Sequence, residues 1–150
     1  MRKIAILLST LLIGCASSTE LFTSVQNSDD DSYGYSIDNP ILIGQYSNWQ
    51  KNTELAYFYL SKLNKDGKPL KMLAHYTVNK PEDQPRKKES MPRLYGTGPS
   101  MGGIFLDKWT MIPEGTNDTI DLYFDVEIKG AIKVPIGLTF NINQQNNIYQ

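Results

Sequence analysis

The residue types that could do chemistry are few in this chain of 150 residues. It contains one cysteine, Cys15, and one histidine, His75. One cysteine excludes an intrachain disulfide and a Cys-based zinc site, and one histidine excludes a multi-His metal site. His75 can serve as a general base only if the fold brings an aspartate or glutamate to it. The sequence therefore predicts neither a metal nor a cofactor.

A second set of ionisable residues alternates with apolar ones over residues 119–128. Asp121, Asp125 and Glu127 fall on one face of the strand that this alternation predicts. Two carboxylates can divide acid and base work, as in glycosidases. Residues four apart on a strand lie about 13 Å from each other, which is too far for Asp121 and Asp125 to act together. The alternation favours an ordinary solvent-exposed face.

The overall charge argues against one class of partner. The chain has 15 Lys and Arg against 16 Asp and Glu, for a formal net charge of −1. A general nucleic-acid binder needs a basic surface, so we expect no nucleic-acid partner. With 40% hydrophobic and 21% charged residues, the composition is typical of one globular domain.

The elements that position these residues follow from hydrophobic periodicity. A helix is predicted from Ser47 as N-cap, with Gln50 completing a capping box, to Leu63. Its apolar stripe contains Trp49, Leu55, Ala56, Tyr59, Leu60 and Leu63. Strands are predicted at 40–46, 70–78, 105–112, 119–128 and 131–140, the last three as an antiparallel meander. The sum is an α+β fold, a mostly antiparallel sheet of four or five strands with one packed helix.

One aromatic residue falls opposite the apolar stripe of that helix. At 100° per residue, Phe58 lies on the polar side and Tyr57 lies between the two faces. Either the long loop predicted at 79–103 covers these rings, or they are exposed as a contact patch. In the second case the partner-binding residues would be Tyr57, Phe58, Arg86, Lys87, Lys88 and Tyr95.

The first fifteen residues indicate a cellular location. Two basic residues precede a ten-residue, mainly apolar region at 4–13, which is typical of a signal peptide and too short to span a bilayer. Leu12-Ile13-Gly14-Cys15 follows directly and resembles the lipobox of bacterial lipoproteins. The resemblance implies that residues 1–14 are removed and that Cys15 receives a diacylglyceryl group and an amine-linked acyl chain such as palmitate. Two or three acyl chains form a stable membrane anchor.

The same resemblance implies an outer-membrane location. Inner-membrane retention is often signalled by Asp directly after the cysteine, and this chain has Ala16. We expect a lipidated Cys15 and a flexible tether over 15–32, a single domain over 33–141 facing the periplasm, and a polar tail over 142–150. Inner membrane and cell surface stay open as alternatives.

The domain itself resembles a group of small uncharacterised envelope lipoproteins. Residues 34–44, GYSIDNPILIG, match the group's GY-x-x-x-NPI-x-[IV]G opening. The group closes with patterns like Leu-Tyr-Phe-Asp and Pro-Ile-Gly, found here at 122–125 and 135–137. This chain departs from the group at Leu138, where Phe is usual. The group has no established function to transfer.

Three hypotheses on function follow. The leading one is a non-catalytic, lipid-anchored protein that binds another envelope component, most simply a protein, for example as an immunity protein or an adaptor. The alternative is a binding module for cell-wall glycan or peptide, or a hydrolase that uses His75 and a carboxylate. A concave pocket holding His75 beside a carboxylate would favour that alternative. The third is a purely structural role in a membrane complex.

Overall fold

The computed structural model describes residues 18–80, 104–144 and 148. The predicted signal peptide, Cys15, and the loop residues Arg86, Lys87, Lys88 and Tyr95 lie outside them. The elements, in chain order, are a 3-10 helix (Ser18–Phe22), β1 (Gln26–Asn27), β2 (Ile41–Leu42), α1 (Trp49–Leu60), β3 (Leu63–Lys65), β4 (Lys68–Lys80), β5 (Ile104–Pro113), β6 (Ile120–Asp125), β7 (Lys133–Val134) and β8 (Thr139–Phe140).

Two sheets organise the fold. The larger has six strands in the order β2-β6-β5-β4-β3-β8, and β1 pairs with β7 in a separate two-stranded sheet. β2 runs parallel to β6 and the other neighbours in the larger sheet are antiparallel, so this sheet is mixed. The α+β class, dominated by sheet with one α-helix in the part of the chain described, is confirmed. The strand count exceeds the four or five predicted.

The antiparallel meander is formed by β4, β5 and β6, and its predicted third strand at 131–140 is wrong. That segment divides into β7, which pairs with β1, and β8, which pairs with β3. Pro135 lies between the two strands and has no N–H for a ladder, and Gly137 adopts a φ of 83°. The chain therefore leaves one sheet and enters the other at this point.

Helix α1 is shorter than predicted and begins with a different cap. Asn48, not Ser47, is the N-cap, and its side-chain oxygen accepts from Gln50 N at 2.8 Å. The helix ends at Leu60, and Leu63 begins β3 instead of extending the helix. β3 turns into β4 through Asp66 and Gly67, which have φ values of 51° and 74°. Asp-Gly with two positive φ angles is the preferred two-residue hairpin turn.

The core lies between α1 and one face of the sheet. Tyr59 is fully buried there, and its hydroxyl donates to Lys133 O at 2.7 Å. Trp49 differs from the prediction, because its side chain is 49% exposed at the first turn of the helix. The other fully buried large side chains of this core belong mainly to α1 and the meander: Leu55, Leu60, Leu63, Leu70, Trp109, Met111, Leu122 and Phe124, with Ile41 and Ile43 near β2.

Burial raises the pKa of Tyr59 well above its ordinary value. A tyrosine in the unfolded chain ionises near pH 10, so above about that pH the unfolded chain releases a proton that the folded chain keeps. This contribution is fully present below pH 10 and is lost as the pH rises toward the folded pKa. We expect the free energy of unfolding, measured with urea, to fall above about pH 10. Tyr59→Phe should make this fall shallower, and an unchanged slope would contradict the assignment.

The residues of the opening motif, 34–44, and of the Pro-Ile-Gly pattern, 135–137, have structural roles. Gly34 has a φ of 79°, and a Cβ there would lie 2.9 Å from Pro135 Cγ. The Tyr35 hydroxyl donates to Ile136 O at 2.7 Å. A Cβ on Gly44 would lie 2.6 Å from the Glu127 carbonyl carbon. The opening motif therefore packs directly on the Pro-Ile-Gly segment. Packing between these two segments is a sufficient reason for the residues found in each of them.

The segment before residue 33 is not the flexible tether predicted over 15–32, at least from Ser18 onward. Phe22 is 2% exposed and belongs to the hydrophobic core. The backbone N–H of Ser28 donates to Val134 O at 2.8 Å, beside the β1–β7 pairing. The polar tail predicted at 142–150 also contacts the domain, because Ile148 is 3% exposed and its carbonyl accepts from Met72 N. The folded unit is thus wider than residues 33–141.

Candidate functional site

A cleft of about 280 Å³ opens between the N-terminal end of α1 and the sheet. Its walls come from the first turns of α1, the middle of β4, the start of β5 and the segment after β6. The lining residues are Trp49, Thr53, His75, Thr77, Phe105, Asp107, Val126 and Glu127.

A bulge in β4 determines which side chains reach this cleft. Met72 pairs with Met111, but Ala74 pairs with Thr110, so Leu73 is an extra residue in the ladder. Because side chains alternate along a strand, one extra residue reverses which positions face the helix. Beyond the bulge His75 pairs with Trp109 and therefore lies on the core face. Leu73 itself is 54% exposed.

Register then brings a carboxylate to His75. Thr77 pairs with Asp107, two residues along each strand from the His75–Trp109 pair, so all four side chains share one face. His75 Nε2 lies 3.4 Å from Asp107 Oδ1. The imidazole stacks on the Trp109 indole, with a centroid distance of 3.9 Å and an interplanar angle of 15°. The ring is thus held in one orientation by an aromatic plane and a carboxylate.

Buried Asn52 fixes the helix over this end of the sheet. Its side-chain amide donates to Tyr46 O at 2.8 Å and to Val126 O at 2.7 Å, and its oxygen accepts from Tyr46 N at 2.8 Å. Trp49 and Thr53 lie within one helical turn of Asn52. They therefore line the cleft together with Val126 and Glu127 from the segment that follows β6. Asn52 is consequently a positioning residue for the cleft.

We expect Asn52→Ala to lower the free energy of unfolding by about 2–3 kcal/mol, because it leaves Tyr46 and Val126 backbone groups without partners. The measurement is urea unfolding, with Gln50→Ala as control because Gln50 is exposed on the same helix. A loss within about 0.5 kcal/mol of the control, which is usual for surface sites, would show that Asn52 does not anchor the helix.

The cleft combines aromatic surface with negative charge. Trp49 and Phe105 are 49% and 47% exposed, so both present aromatic surface to the cleft. Asp107 and Glu127 supply two carboxylates, and none of the described lining residues is Lys or Arg. Aromatic faces and carboxylates both attract positively charged groups. The arrangement can therefore hold an organic cation.

The opposite face of the meander is differently built. Asp121 accepts from Thr110 Oγ1 at 2.7 Å and pairs with Lys108 Nζ at 2.7 Å. Partial burial raises the pKa of Asp121, but the hydrogen bonds from Lys108 and Thr110 outweigh burial and hold that pKa below its usual value. Because the Asp121 carboxylate is held in an ion pair outside the cleft, substitution of Asp121 serves as a control for substitution of the cleft carboxylates.

The three carboxylates predicted on one wet strand face do not stay together. Asp121 lies on the outer face of the sheet, and Glu127 lies beyond β6 in the cleft. Asp125 was predicted to be solvent-exposed and is instead 5% exposed. Its side-chain oxygen accepts from the backbone N–H groups of Glu127 and Ile128, both at 3.0 Å. Asp125 thus forms the turn that ends the strand, which explains its burial.

Two of the predicted partner-binding residues, Tyr57 and Phe58, lie in the described part of the chain, and both are partly buried. Phe58 packs against the core, and its ring stacks on Phe22 with centroids 5.4 Å apart. Its cover thus includes the N-terminal segment. Tyr57 meets Trp109 edge-on at 4.5 Å, beside the His75 stack. The remaining predicted residues, Arg86, Lys87, Lys88 and Tyr95, and the lipid-attachment residue Cys15 lie outside the described residues.

Within the described ranges, no group of three or more His, Cys, Asp or Glu side chains is placed to hold a metal ion. No helix in the same ranges is long and apolar enough to cross a membrane.

Searches of protein-family models, curated proteins and solved structures gave no match to this chain. The function of the cleft is therefore argued from its geometry and its chemistry.

Proposed function

We propose that this chain is a lipid-anchored protein of the bacterial cell envelope, held on the outer membrane through Cys15, which binds a basic segment of another envelope protein. The lipobox residues 12–15 support the anchor. The observation that carries the binding role is the cleft at the start of α1, where exposed Trp49 and Phe105 stand beside two carboxylates.

A lysine or arginine side chain matches that chemistry. Its cationic end would contact Asp107 and Glu127, and its alkyl stem would lie along Trp49 and Phe105. A cation over an aromatic face contributes about 0.5–2 kcal/mol, and a hydrogen bond to a charged group about 1.5–3 kcal/mol. These magnitudes suit one anchoring side chain within a larger protein interface.

Fluorescence titration tests the proposal. Trp49 lines the cleft, so a bound peptide should change its emission. We expect a lysine-containing tripeptide to bind in the millimolar range, typical of about 4 kcal/mol. Acetylating the lysine removes its charge and should abolish the signal, and Trp49→Phe identifies which tryptophan reports it. Equal binding of the acetylated peptide would overturn the cationic preference.

Hydrolysis of a cell-wall peptide or glycan is the second candidate, favoured by the 3.4 Å contact between His75 Nε2 and Asp107 Oδ1 inside a cleft. An imidazole oriented by a carboxylate can take a proton from water as the water attacks. His75→Gln separates the two candidates. Binding of a basic peptide should survive it within a few-fold, whereas hydrolysis of purified cell-wall fragments would be lost.

A further inference from the structure

We propose that the domain rests directly on the lipid headgroups, with the surface around the 3-10 helix (Ser18–Phe22) toward the membrane and the cleft turned away. The inference rests on acylation of Cys15 in the proposed function. It concerns the distance and orientation of the domain, which that function leaves open.

Chain length limits the distance. Only Ala16 and Ser17 separate Cys15 from Ser18, the first residue of the 3-10 helix. Three Cα–Cα steps span at most about 11 Å in any conformation. The tether predicted over 15–32 would reach about 60 Å when extended. The acylated residue must therefore lie close to the folded domain.

The segment that follows Ser18 is firmly attached. The Phe22 ring lies 5.4 Å from the Phe58 ring and 5.5 Å from the Phe140 ring, centroid to centroid. β1 then pairs with β7, and Lys133 Nζ contacts Asp29 Oδ1 at 3.2 Å. Releasing the segment to lengthen the tether would expose Phe22 and break this pairing, so the short distance is the stable one.

The position of Phe22 also gives the orientation. Phe22 contacts Phe58 and Tyr59, near the C-terminal end of α1, whereas Trp49 at the N-terminal end lines the cleft. Nine residues of helix separate Trp49 and Phe58 by about 14 Å along the axis. Leu21, beside Phe22, is 40% exposed and offers an apolar side chain to the interface. The anchor thus enters at the end opposite the cleft.

Neutron reflectometry on the acylated protein in a supported bilayer tests the distance. We expect protein density to begin within about 11 Å of the headgroups. A spacer of about twelve Gly and Ser residues between Ser17 and Ser18 should widen the water layer by about 20 Å. A wide water layer beneath the unmodified protein, unchanged by the spacer, would overturn the inference.

Iodide quenching of Trp49 fluorescence tests the orientation, with Trp49→Phe to subtract the buried Trp109. Quenching in the membrane-bound protein should equal that in detergent-free Cys15→Ser protein within about twofold, because the cleft faces water. Strong protection of Trp49 on the bilayer would overturn the proposed orientation.

Mass spectrometry of Cys15 distinguishes failure of the proposed lipid anchor from failure of the proposed position of the domain on the membrane. A chain with no acyl group on Cys15 would overturn the proposed anchor and this inference together. A wide gap beneath a demonstrably acylated chain would overturn this inference alone, and the proposed function would stand.

Discussion

Asp107→Asn is expected to weaken binding of a lysine-containing peptide by about tenfold or more, because it removes the charge that a cation would meet in the cleft. A charge-assisted hydrogen bond contributes about 1.5–3 kcal/mol, which corresponds to that range in affinity. Asparagine keeps the size of the side chain, and its amide oxygen can still accept a hydrogen bond from His75 Nε2–H. The domain should therefore stay folded, and the loss should be specific to binding.

A matched control comes from the other face of the sheet. Asp121 is also a carboxylate of the meander, and it forms an ion pair with Lys108 Nζ at 2.7 Å. Asp121→Asn changes the net charge of the protein by the same amount and should leave peptide affinity within about twofold. Equal losses of affinity in the two variants would mean that the overall charge of the protein attracts the peptide. That result would contradict binding of the peptide in the cleft.

Phe22→Ala is expected to lower the free energy of unfolding by about 3–5 kcal/mol, the usual cost of truncating a buried phenylalanine. Phe22 is 2% exposed and its ring lies between Phe58, Tyr59 and Phe140. The measurement is urea unfolding of the Cys15→Ser chain. A loss this large is a substantial part of the stability of a domain of this size.

Leu21→Ala is the control for that experiment, because Leu21 precedes Phe22 and is 40% exposed. Surface substitutions usually change stability by no more than about 0.5 kcal/mol. If residues before 33 formed a free tether, Phe22→Ala would behave like this control. Such a result would remove the basis for placing the domain against the membrane.

Local patterns in the sequence were sufficient for part of the fold. The alternation of Ile120, Leu122 and Phe124 with polar residues predicted β6 and its buried face. The helix was placed within three residues at its C-terminal end, because its apolar residues recur at helical spacing. These signals depend only on near neighbours along the chain.

Long-range pairing explains what the sequence analysis missed. Residues 131–140 alternate as well as β6 does, yet they divide between two sheets, because β1 and β3 offer unpaired edges that local periodicity does not reveal. Phe22 lies in the segment predicted as a flexible tether, 15–32. Its burial depends on three rings more than thirty residues further along the chain.

The sequence predicted one residue of the candidate site, His75, but not the residues that surround it in the structure. His75 was identified, together with its need for a carboxylate, but Asp107 is not its sequence neighbour and reaches it only through the β4–β5 register. The bulge at Leu73 that turns His75 toward the helix has no sequence signal in a run of apolar residues. Helical periodicity assigns Trp49 to the core, whereas in the structure it is the first residue of α1, is 49% exposed and lines the cleft.

Site-specific photocrosslinking in intact cells tests the central claim most directly. A photoreactive phenylalanine analogue at Phe105 places the probe in the cleft, and the same analogue at Tyr76, 58% exposed on the other face of the β4–β5 pair, is the control. We predict one dominant protein adduct from Phe105 that is lost in Asp107→Asn and in mislocalised Cys15→Ser, and no such adduct from Tyr76. Identical adducts from both positions, or an adduct indifferent to Asp107→Asn, would contradict a lipid-anchored protein that binds its partner in this cleft.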